Sequence, residues 1–315
     1  MLDITAAEKK ALKGRGYIMT NDGEHFIARV ITVDGLLNAE EMSVIVEAAK
    51  KFGDGRVAMT TRLTVEVQGI TYDNIEPFNE FIAQAGLYTG GTGSRVRPIV
   101  ACKGTVCVHG LINTQELARE IHEQFYKGWY DVKLPHKFKI GIGGCPNNCI
   151  KPGLNDFGIM GQEVPAYDSD DCSGCKKCAV VEACPVKAAH MDEDGIMQID
   201  TDACNNCGKC IGACNFDTVT LKKAGYKIIV GGYWGKRQHP GYVINEIYSK
   251  EEVFEMIERS LLLYREQGKT GERFGMFIDR IGLDNFTAQL KAGDVMNRKQ
   301  EILDAKLHLE GGATC

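Results

Sequence analysis

Thirteen cysteines stand out in this chain of 315 residues, and twelve of them fall into three groups of four. Clustered thiols in a chain of this size are more typical of metal ligands than of disulfides. Four thiolates hold one [4Fe–4S] cluster, so the pattern predicts three such clusters. The groups are Cys102, Cys107, Cys145 and Cys149; Cys172, Cys175, Cys178 and Cys184; and Cys204, Cys207, Cys210 and Cys214. Cys315, the last residue, is predicted to be an exposed bystander.

The second and third groups repeat one motif, three cysteines at two-residue gaps followed by a distal fourth. Such gaps let the backbone wrap one corner of a cluster, and the distal cysteine ligates the other cluster. We therefore expect Cys214 to complete the site of the second group and Cys184 that of the third. Zinc sites, the alternative, separate their C-x2-C pairs by longer gaps.

The stretch resembles bacterial two-cluster ferredoxins, which predicts electron transfer. It departs from them in two places. Five residues, rather than three, precede Cys184, and Asn215 replaces the usual proline.

Basic residues lie close to the first cysteine group. On a strand from Lys137 to Gly143, period two places both lysines on one face with Gly141 and Gly143. We interpret this as a cationic surface that a flat group can approach closely. Arg95 and Arg97 repeat the same spacing before Cys102. Each basic residue alone would suit a solvated strand face, but the set beside metal-ligand cysteines favours a binding site.

The elements that must position these residues mix helices and strands, which predicts an α+β fold. Expected helices cover residues 4–13, Asn38 to about Lys51, Asp73 to about Ala85, Thr114–Trp129, Ser249–Gln267 and a final stretch. Expected strands cover Ala28–Val33, Val57–Gln68, Pro98–Ala101, Lys137–Gly143 and Lys227–Val230. Strict alternation places Arg62 on the polar face of its strand. Composition changes near Pro165 and again near Leu221. We therefore expect an N-terminal half domain over 1–90, a second domain over 91–165 and 223–315, and a two-cluster ferredoxin domain inserted over 166–222.

Beyond the cysteines, the segments TTRLTVEVQGI, LPHKFK, GGCPNNC, GGYWGKRQHPG and GERFG resemble the siroheme-dependent sulfite and nitrite reductases. The insert after GGCPNNC resembles that of dissimilatory sulfite reductases, and the single short chain resembles the C subunit of anaerobic sulfite reductase most. One departure is the four-residue gap between Cys102 and Cys107, where assimilatory enzymes more usually have five.

This resemblance implies siroheme coupled to the first [4Fe–4S] cluster, with Cys149 bridging to the siroheme iron. It implies that Lys137, Lys139, Arg97 and Arg29 bind the substrate anion. It places Arg62 near the siroheme carboxylates, and Lys236 and Arg237 are further candidates for the same role.

The implied reaction is six-electron reduction of sulfite to sulfide by a catalytic oxidoreductase subunit. No convincing nucleotide-binding fingerprint is present, so electrons should come through the insert from iron–sulfur and flavin or NADH-type reductase subunits, in a homo- or hetero-oligomer. Nitrite reduction to ammonia and a non-catalytic iron–sulfur carrier are the alternatives.

Composition limits the remaining possibilities. The formal net charge of -5 gives no basic field for nucleic acid. No apolar run is long enough for a membrane helix, and no signal peptide is visible, which predicts a cytoplasmic protein.

Overall fold

A computed structural model describes residues 4–307, so Cys315 and its predicted exposure lie outside the described residues. Helices and sheets are mixed, and the predicted α+β class is confirmed. The strands are β1 Tyr17–Met19, β2 His25–Val30, β3 Val57–Met59, β4 Val65–Thr71, β5 Val100–Ala101, β6 Ile140–Gly143, β7 Phe157–Tyr167, β8 Ala189–Met191, β9 Met197–Ile199, β10 Val219–Val230 and β11 Tyr242–Tyr248. The helices are α1 Ala6–Gly14, α2 Ala39–Phe52, α3 Ile75–Ala83, α4 Thr114–Ile121, α5 Ala179–Ala183, α6 Lys250–Gln267, α7 Phe274–Ile281, α8 Leu283–Ala292 and α9 Lys299–Asp304. Across residues 4–307, no helix is both long and apolar enough to cross a membrane.

The N-terminal part is a four-stranded antiparallel sheet in the order β1-β2-β4-β3, with α2 and α3 packed on it. The helix predicted from Asn38 is confirmed as α2. Asn38 caps it, since the Asn38 side chain accepts from the Glu41 N–H and the Glu41 side chain accepts from the Asn38 N–H. Alternate residues of β2 are buried, so one face of the sheet forms a core against the helices.

The prediction of a single strand over Val57–Gln68 is wrong. The chain turns back between β3 and β4, which pair antiparallel, so Val57 lies opposite Val67. Leu63 adopts φ 61°, and the hydroxyls of Thr60 and Thr64 are 2.7 Å apart across the turn. Alternation alone did not reveal this turn, because no glycine or proline marks it. Arg62 therefore lies in a hairpin turn rather than on a strand face.

The second sheet has five strands in the order β11-β10-β7-β6-β5, antiparallel on one side and parallel on the other. Its core includes Phe138, Phe157 and Ile228 and is covered by α4 and by the C-terminal helices α6 to α8. The predicted helix Ser249–Gln267 is confirmed as α6, and Ser249 caps its first turn. The predicted helix Thr114–Trp129 is α-helical only to Ile121 and then widens into a π-helical turn over His122–Lys127.

Other predicted bounds also differ from the structure. The strand predicted over Lys227–Val230 is the end of β10, which begins at Val219, and the strand predicted from Pro98 begins at Val100. The helix predicted from Asp73 begins at Ile75, after a single 3₁₀ turn. The strand predicted over Ala28–Val33 is β2, which ends at Val30. The strand predicted from Lys137 pairs continuously only over Ile140–Gly143, with one isolated bridge between Phe138 and Val96.

The cysteine-rich segment leaves the second sheet at the end of β7 and returns at the start of β10. These two strands pair from Val219 opposite Tyr167 to Val230 opposite Phe157. The segment contains α5 and the two-stranded sheet of β8 and β9. It has a small core of its own, formed by Val180, Ala189, Met197 and Val219 and bordered by five of its cysteines.

Candidate functional site: a cationic cavity beside cysteine loops

Five cationic side chains from four segments line one cavity of about 220 Å³. The cavity lies where the β3–β4 turn of the first sheet meets the chain that enters β5 and β6. No acidic side chain lines it among residues 4–307. Concentrated positive charge in a partly enclosed site attracts small anions. The cations are Arg29, Arg62, Arg97, Lys137 and Lys139, which include all four residues that the sequence predicts to bind substrate.

Arg29 and Arg97 are fixed by hydrogen bonds to the backbone of the turn before β5. Arg29 Nη1 donates to the Gly91 carbonyl at 3.1 Å, and Arg97 Nη1 donates to the same oxygen at 2.8 Å. Arg97 Nε donates to the Gly93 carbonyl at 3.0 Å. Arg29 also pairs with Glu66 on the neighbouring strand β4, with Nη2 2.6 Å from the carboxylate. Both guanidinium groups are therefore held in place by protein acceptors.

Arg62 is partly buried and joins the two sheets. Its Nη1 donates to the Asn155 side chain at 3.1 Å, and its Nη2 donates to the Pro98 carbonyl at 2.6 Å and the Ile140 carbonyl at 3.3 Å. Burial lowers the pKa of Arg62 to about 9, which leaves it charged at neutral pH. Its buried Nε has no hydrogen-bond partner within the described chain, so this donor has capacity for a ligand.

Lys139 lies in a largely cationic environment. Burial and the charge of Arg62 lower its pKa to about 8, against the opposing charge of Asp156. Asp156 is fully buried, accepts from the Lys139 backbone N–H at 2.9 Å and pairs with Arg273 at 2.9 Å. Burial also lowers the pKa of the nearby His136 to about 4, so this imidazole is neutral at neutral pH.

The glycines of β6 do not form the open flat surface that the sequence suggested. A Cβ on Gly141 would lie 2.5 Å from the Asn155 side chain, and one on Gly143 would lie 2.9 Å from Pro152. All four residues of β6 are buried. Glycine is required there because the loop that enters β7 packs against the strand.

Lys236 and Arg237 are not among the residues of the cavity. They lie on the exposed loop between β10 and β11. Tyr233 in the same loop stacks under the guanidinium of Arg273, at 5.2 Å from the ring centre.

The first cysteine group comes together from two loops that follow β5 and β6. Burial raises the pKa of the Cys145 thiol, and the charges of Cys102, Cys107 and Cys149 raise it further. The Gly144 N–H donates to Cys102 Sγ at 3.1 Å. Backbone N–H groups directed at sulfur are typical of iron–sulfur sites.

The insert brings Cys184 to the three cysteines of the following motif. Cys184, Cys204, Cys207 and Cys210 line one pocket between β8, β9 and the adjacent loops. Burial raises the pKa of Cys210 to about 11, with smaller contributions from the charges of the other three thiols. The four thiols thus form one group in space although two sequence motifs supply them.

Of the remaining insert cysteines, Cys172, Cys178 and Cys214 border the small core and Cys175 is exposed. Thr218 Oγ1 donates to Cys214 Sγ at 3.1 Å and lowers the pKa of that thiol.

No three His, Cys, Asp or Glu side chains in residues 4–307 converge as the ligands of one ion would. A zinc ion would require its thiolates at about 2.3 Å from one point. A four-iron cluster bonds each of four thiolates to a separate iron, so it suits thiols that lie further apart.

Sequence reasoning missed Glu66, Asp156 and Arg273, which hold the cationic residues in place. Arg273 lies in the GERFG segment that the sequence singled out, but only the fold shows its partner. The other two are ordinary acidic residues in strand-like or loop sequence, and no spacing marks them.

Comparison with known proteins shows where the chain belongs. Residues 92–299 match the family described as the nitrite and sulphite reductase 4Fe-4S domain, and residues 18–85 match the nitrite/sulfite reductase ferredoxin-like half domain. The chain is 32% identical over 273 residues to a coenzyme F420-dependent sulfite reductase of Methanocaldococcus jannaschii, covering 86% of this chain and 43% of the relative. It is 32% identical over 170 residues to the C subunit of anaerobic sulfite reductase of Salmonella typhimurium, covering 48% of this chain and 47% of that relative.

The chain therefore spans less than half the length of these two curated relatives. A crystal structure of dissimilatory sulfite reductase I superimposes with a TM-score of 0.68 at 21% identity, over 85% of this chain and 69% of that one, which shows a shared fold. The predicted family is confirmed, because the larger family match alone covers more than half of the residues. On this evidence the chain belongs to the nitrite and sulfite reductase family.

Proposed function

We propose that this chain is the catalytic subunit of a siroheme-dependent sulfite reductase, which reduces sulfite to sulfide with six electrons. The observation that carries the proposal is the cavity of five cations, which suits an oxyanion and the carboxylates of siroheme. Its volume is below the ~300–1,000 Å³ of typical cofactor pockets, so the cavity by itself accommodates the small anion. The unpartnered Nε of Arg62 supplies a further donor for a carboxylate.

Siroheme and a [4Fe–4S] cluster on Cys102, Cys107, Cys145 and Cys149 would supply one-electron steps and bind the sulfur of the substrate, and Cys149 would help to hold both groups. The chain's own residues bind and orient the anion. Arg29 and Arg97 are pre-positioned by Gly91, so little ordering is needed when the anion arrives. Their charge stabilises oxygens that become better leaving groups as they gain protons.

Lys137 and Lys139 are assigned to the same anion. Lys139 is the stronger candidate for a proton donor, because a pKa of about 8 lets an ammonium lose its proton near neutral pH. The oxygens of sulfite leave as water, which requires protons at this position.

We assign electron entry to a two-cluster ferredoxin domain over residues 166–222. It lies between the two parts of the catalytic domain, 91–165 and 223–315, which follow the N-terminal half domain 1–90. Cys184, Cys204, Cys207 and Cys210 are assigned to one of its clusters, and Cys172, Cys175, Cys178 and Cys214 to the other.

Strand β7 supports this route, because it contacts the loop that carries Cys145 and the loop that carries Cys207. A Cβ on Gly161 would lie 2.6 Å from the carbonyl of Gly144, the residue before Cys145. Two residues further, the Glu163 N–H donates to the carbonyl of Asn206, the residue before Cys207. Two residues of a strand span about 6.6 Å. The Cys184-containing site is therefore assigned as the proximal relay.

Electrons are proposed to reach the insert from iron–sulfur and flavin or NADH-type reductase subunits in a hetero-oligomer. Several relatives are named as single subunits of larger sulfite reductases, which supports a multi-subunit assembly. Nitrite is the competing substrate, since the family includes both reactions and a cationic cavity favours either oxyanion.

One experiment on the protein purified without oxygen tests the proposal. Iron and acid-labile sulfide should approach three clusters per chain plus one siroheme iron, and the visible spectrum should show siroheme bands.

Turnover with a reduced viologen should be faster with sulfite than with nitrite. The reverse preference would assign the nitrite reaction. Absence of siroheme bands after anaerobic reconstitution would leave only an iron–sulfur electron carrier, and a maximum of two clusters would refute the twelve-thiolate assignment.

A further inference from the structure

The turn that holds the two cavity arginines has a backbone that only glycine can supply. Gly91 adopts φ 74°, and a Cβ there would lie 2.8 Å from Pro98 Cγ. Its carbonyl is the shared acceptor for Arg29 and Arg97. The direction of this one carbonyl therefore sets the position of both guanidinium groups.

The N–H of Gly91 is held by a residue outside the cavity. It donates to Tyr126 Oη at 2.9 Å, and Tyr126 is only 1% exposed. The hydroxyl approaches the turn so closely that a Cβ on Gly90 would lie 2.6 Å from it. Tyr126 and the arginines thus contact the two polar groups of the same glycine from opposite sides.

Tyr126 owes its position to the π-helical turn His122–Lys127 that follows α4. Its ring stacks on the buried His122 at 4.7 Å between centroids. His122 Nε2 is in turn 2.5 Å from Tyr88 Oη. π-Helical turns are rare and frequently occur at functional sites. The stacked His122 and the partly buried Tyr88 therefore hold the phenol ring in place.

We propose that Tyr126 is a positioning residue for the anion site, acting through Gly91 on Arg29 and Arg97. Tyr126 is not among the residues that line the cavity, so its assigned role is indirect. The inference rests on the proposed function, which assigns these arginines to the substrate oxyanion. A hydrogen bond held by a rigid, buried ring fixes the turn better than water could, so the arginines stay aligned when the cavity is empty.

The test is Tyr126→Phe in the siroheme-replete holoprotein. The ring and its stacking remain, and only the bond to the Gly91 N–H is lost. We expect the KM for sulfite and the dissociation constant for sulfite measured by calorimetry to rise about tenfold. The kcat with reduced viologen and the siroheme content should change much less. Tyr17→Phe is the matched control, because Tyr17 is equally buried and its hydroxyl donates to Asn79 at 2.8 Å.

A double-mutant cycle with Arg97→Ala separates positioning from a general structural effect. If Tyr126 acts through the arginines, its loss should weaken sulfite binding far less in the Arg97→Ala background. Equal effects in both backgrounds, or an unchanged affinity in Tyr126→Phe alone, would overturn the inference while leaving the cavity assignment intact. An unchanged affinity in Arg97→Ala would overturn both.

Should Tyr126→Phe not accumulate as holoprotein, Tyr88→Phe gives a second test. It removes the bond that holds His122, one contact further from Gly91. In Tyr88→Phe the KM for sulfite should also rise, but by less than in Tyr126→Phe. An unchanged KM would count against a role for the contacts from Tyr88 through His122 to Tyr126.

Discussion

Asp156 accepts a hydrogen bond from the backbone N–H of Lys139 at 2.9 Å, so a fully buried carboxylate holds the lysine that enters β6. The same carboxylate pairs with Arg273, whose Nη2 lies 2.9 Å and 3.1 Å from its two oxygens. A buried charge is tolerated when it is paired and hydrogen-bonded, as it is here. The pair fixes the backbone of Lys139 and places a negative charge near its ammonium.

This relationship predicts the pH dependence of turnover. Burial, Arg62, Arg273 and Lys137 lower the pKa of Lys139 to about 8, and Asp156 opposes them. If Lys139 must be protonated to bind the anion and donate a proton, kcat/KM for sulfite should fall as pH rises through about 8. Asp156→Asn keeps an acceptor for the backbone N–H but removes the opposing charge, so this fall should move to lower pH.

The measurement is a pH profile of kcat/KM with reduced viologen, for wild type and Asp156→Asn at equal siroheme content. A basic limb at the same pH in both proteins would show that Asp156 does not influence the titrating group. Glu66→Gln serves as a comparison, since that carboxylate pairs with Arg29 and not with the lysine.

Removing the lysines tests their contact with the anion. Lys139→Ala deletes a charge-assisted hydrogen bond of about 1.5–3 kcal/mol. Sulfite turnover should therefore fall about tenfold or more, with cofactor content unchanged. Lys137→Ala should behave similarly, and Lys9→Ala on the exposed face of α1 should have no effect. Wild-type kinetics in the Lys139 variant would place the substrate site elsewhere.

The sequence predicted the cavity better than it predicted the elements around it. Spacing and resemblance singled out four of the cations that line the cavity, although they come from segments far apart in the chain. Arg62 was also singled out, but it was predicted to lie on a strand face and lies in a turn. Leu63 takes a left-handed conformation, and the strictly alternating segment forms a hairpin. The helix starts near Asn38 and Ser249 were predicted correctly, and each of these residues caps its helix through a partner only three positions away.

What could not be predicted depends on contacts between distant segments. Asp156 meets Arg273 across 117 positions, and Glu66 meets Arg29 across 37. The glycines of β6 were interpreted as an open surface, yet Asn155 and Pro152 fill the space above them. Nothing in the pattern of one strand shows which later loop will cover it.

Cross-ligation in the insert predicts a selective cluster defect. Cys184→Ser should damage the cluster assigned to Cys204, Cys207 and Cys210, because the four thiols form one group in space. Iron content should fall by one cluster while the siroheme absorption stays largely intact. Activity with the natural donor should fall more than activity with a reduced viologen. Cys315→Ser is the matched control, and loss of siroheme bands with both insert clusters retained would contradict the assignment.

The last prediction concerns the partly buried Arg62, which connects the β3–β4 turn to the Pro98 carbonyl and to the Ile140 carbonyl of the second sheet. A lysine in its place would keep the charge, but one ammonium cannot reach the Pro98 and Ile140 carbonyls in the planar geometry of a guanidinium. Arg62→Lys should therefore lose about 2 kcal/mol or more of folding stability.

That loss corresponds to a melting temperature lower by about 4–8 °C, taking roughly 2–4 °C per kcal/mol. Differential scanning calorimetry of the holoprotein gives this shift directly. The control is Arg56→Lys in the same hairpin, whose side chain is 73% exposed and pairs only with its neighbour Asp54 within the described chain. Equal melting temperatures for the two variants would mean that the three hydrogen bonds of Arg62 do not hold the sheets together.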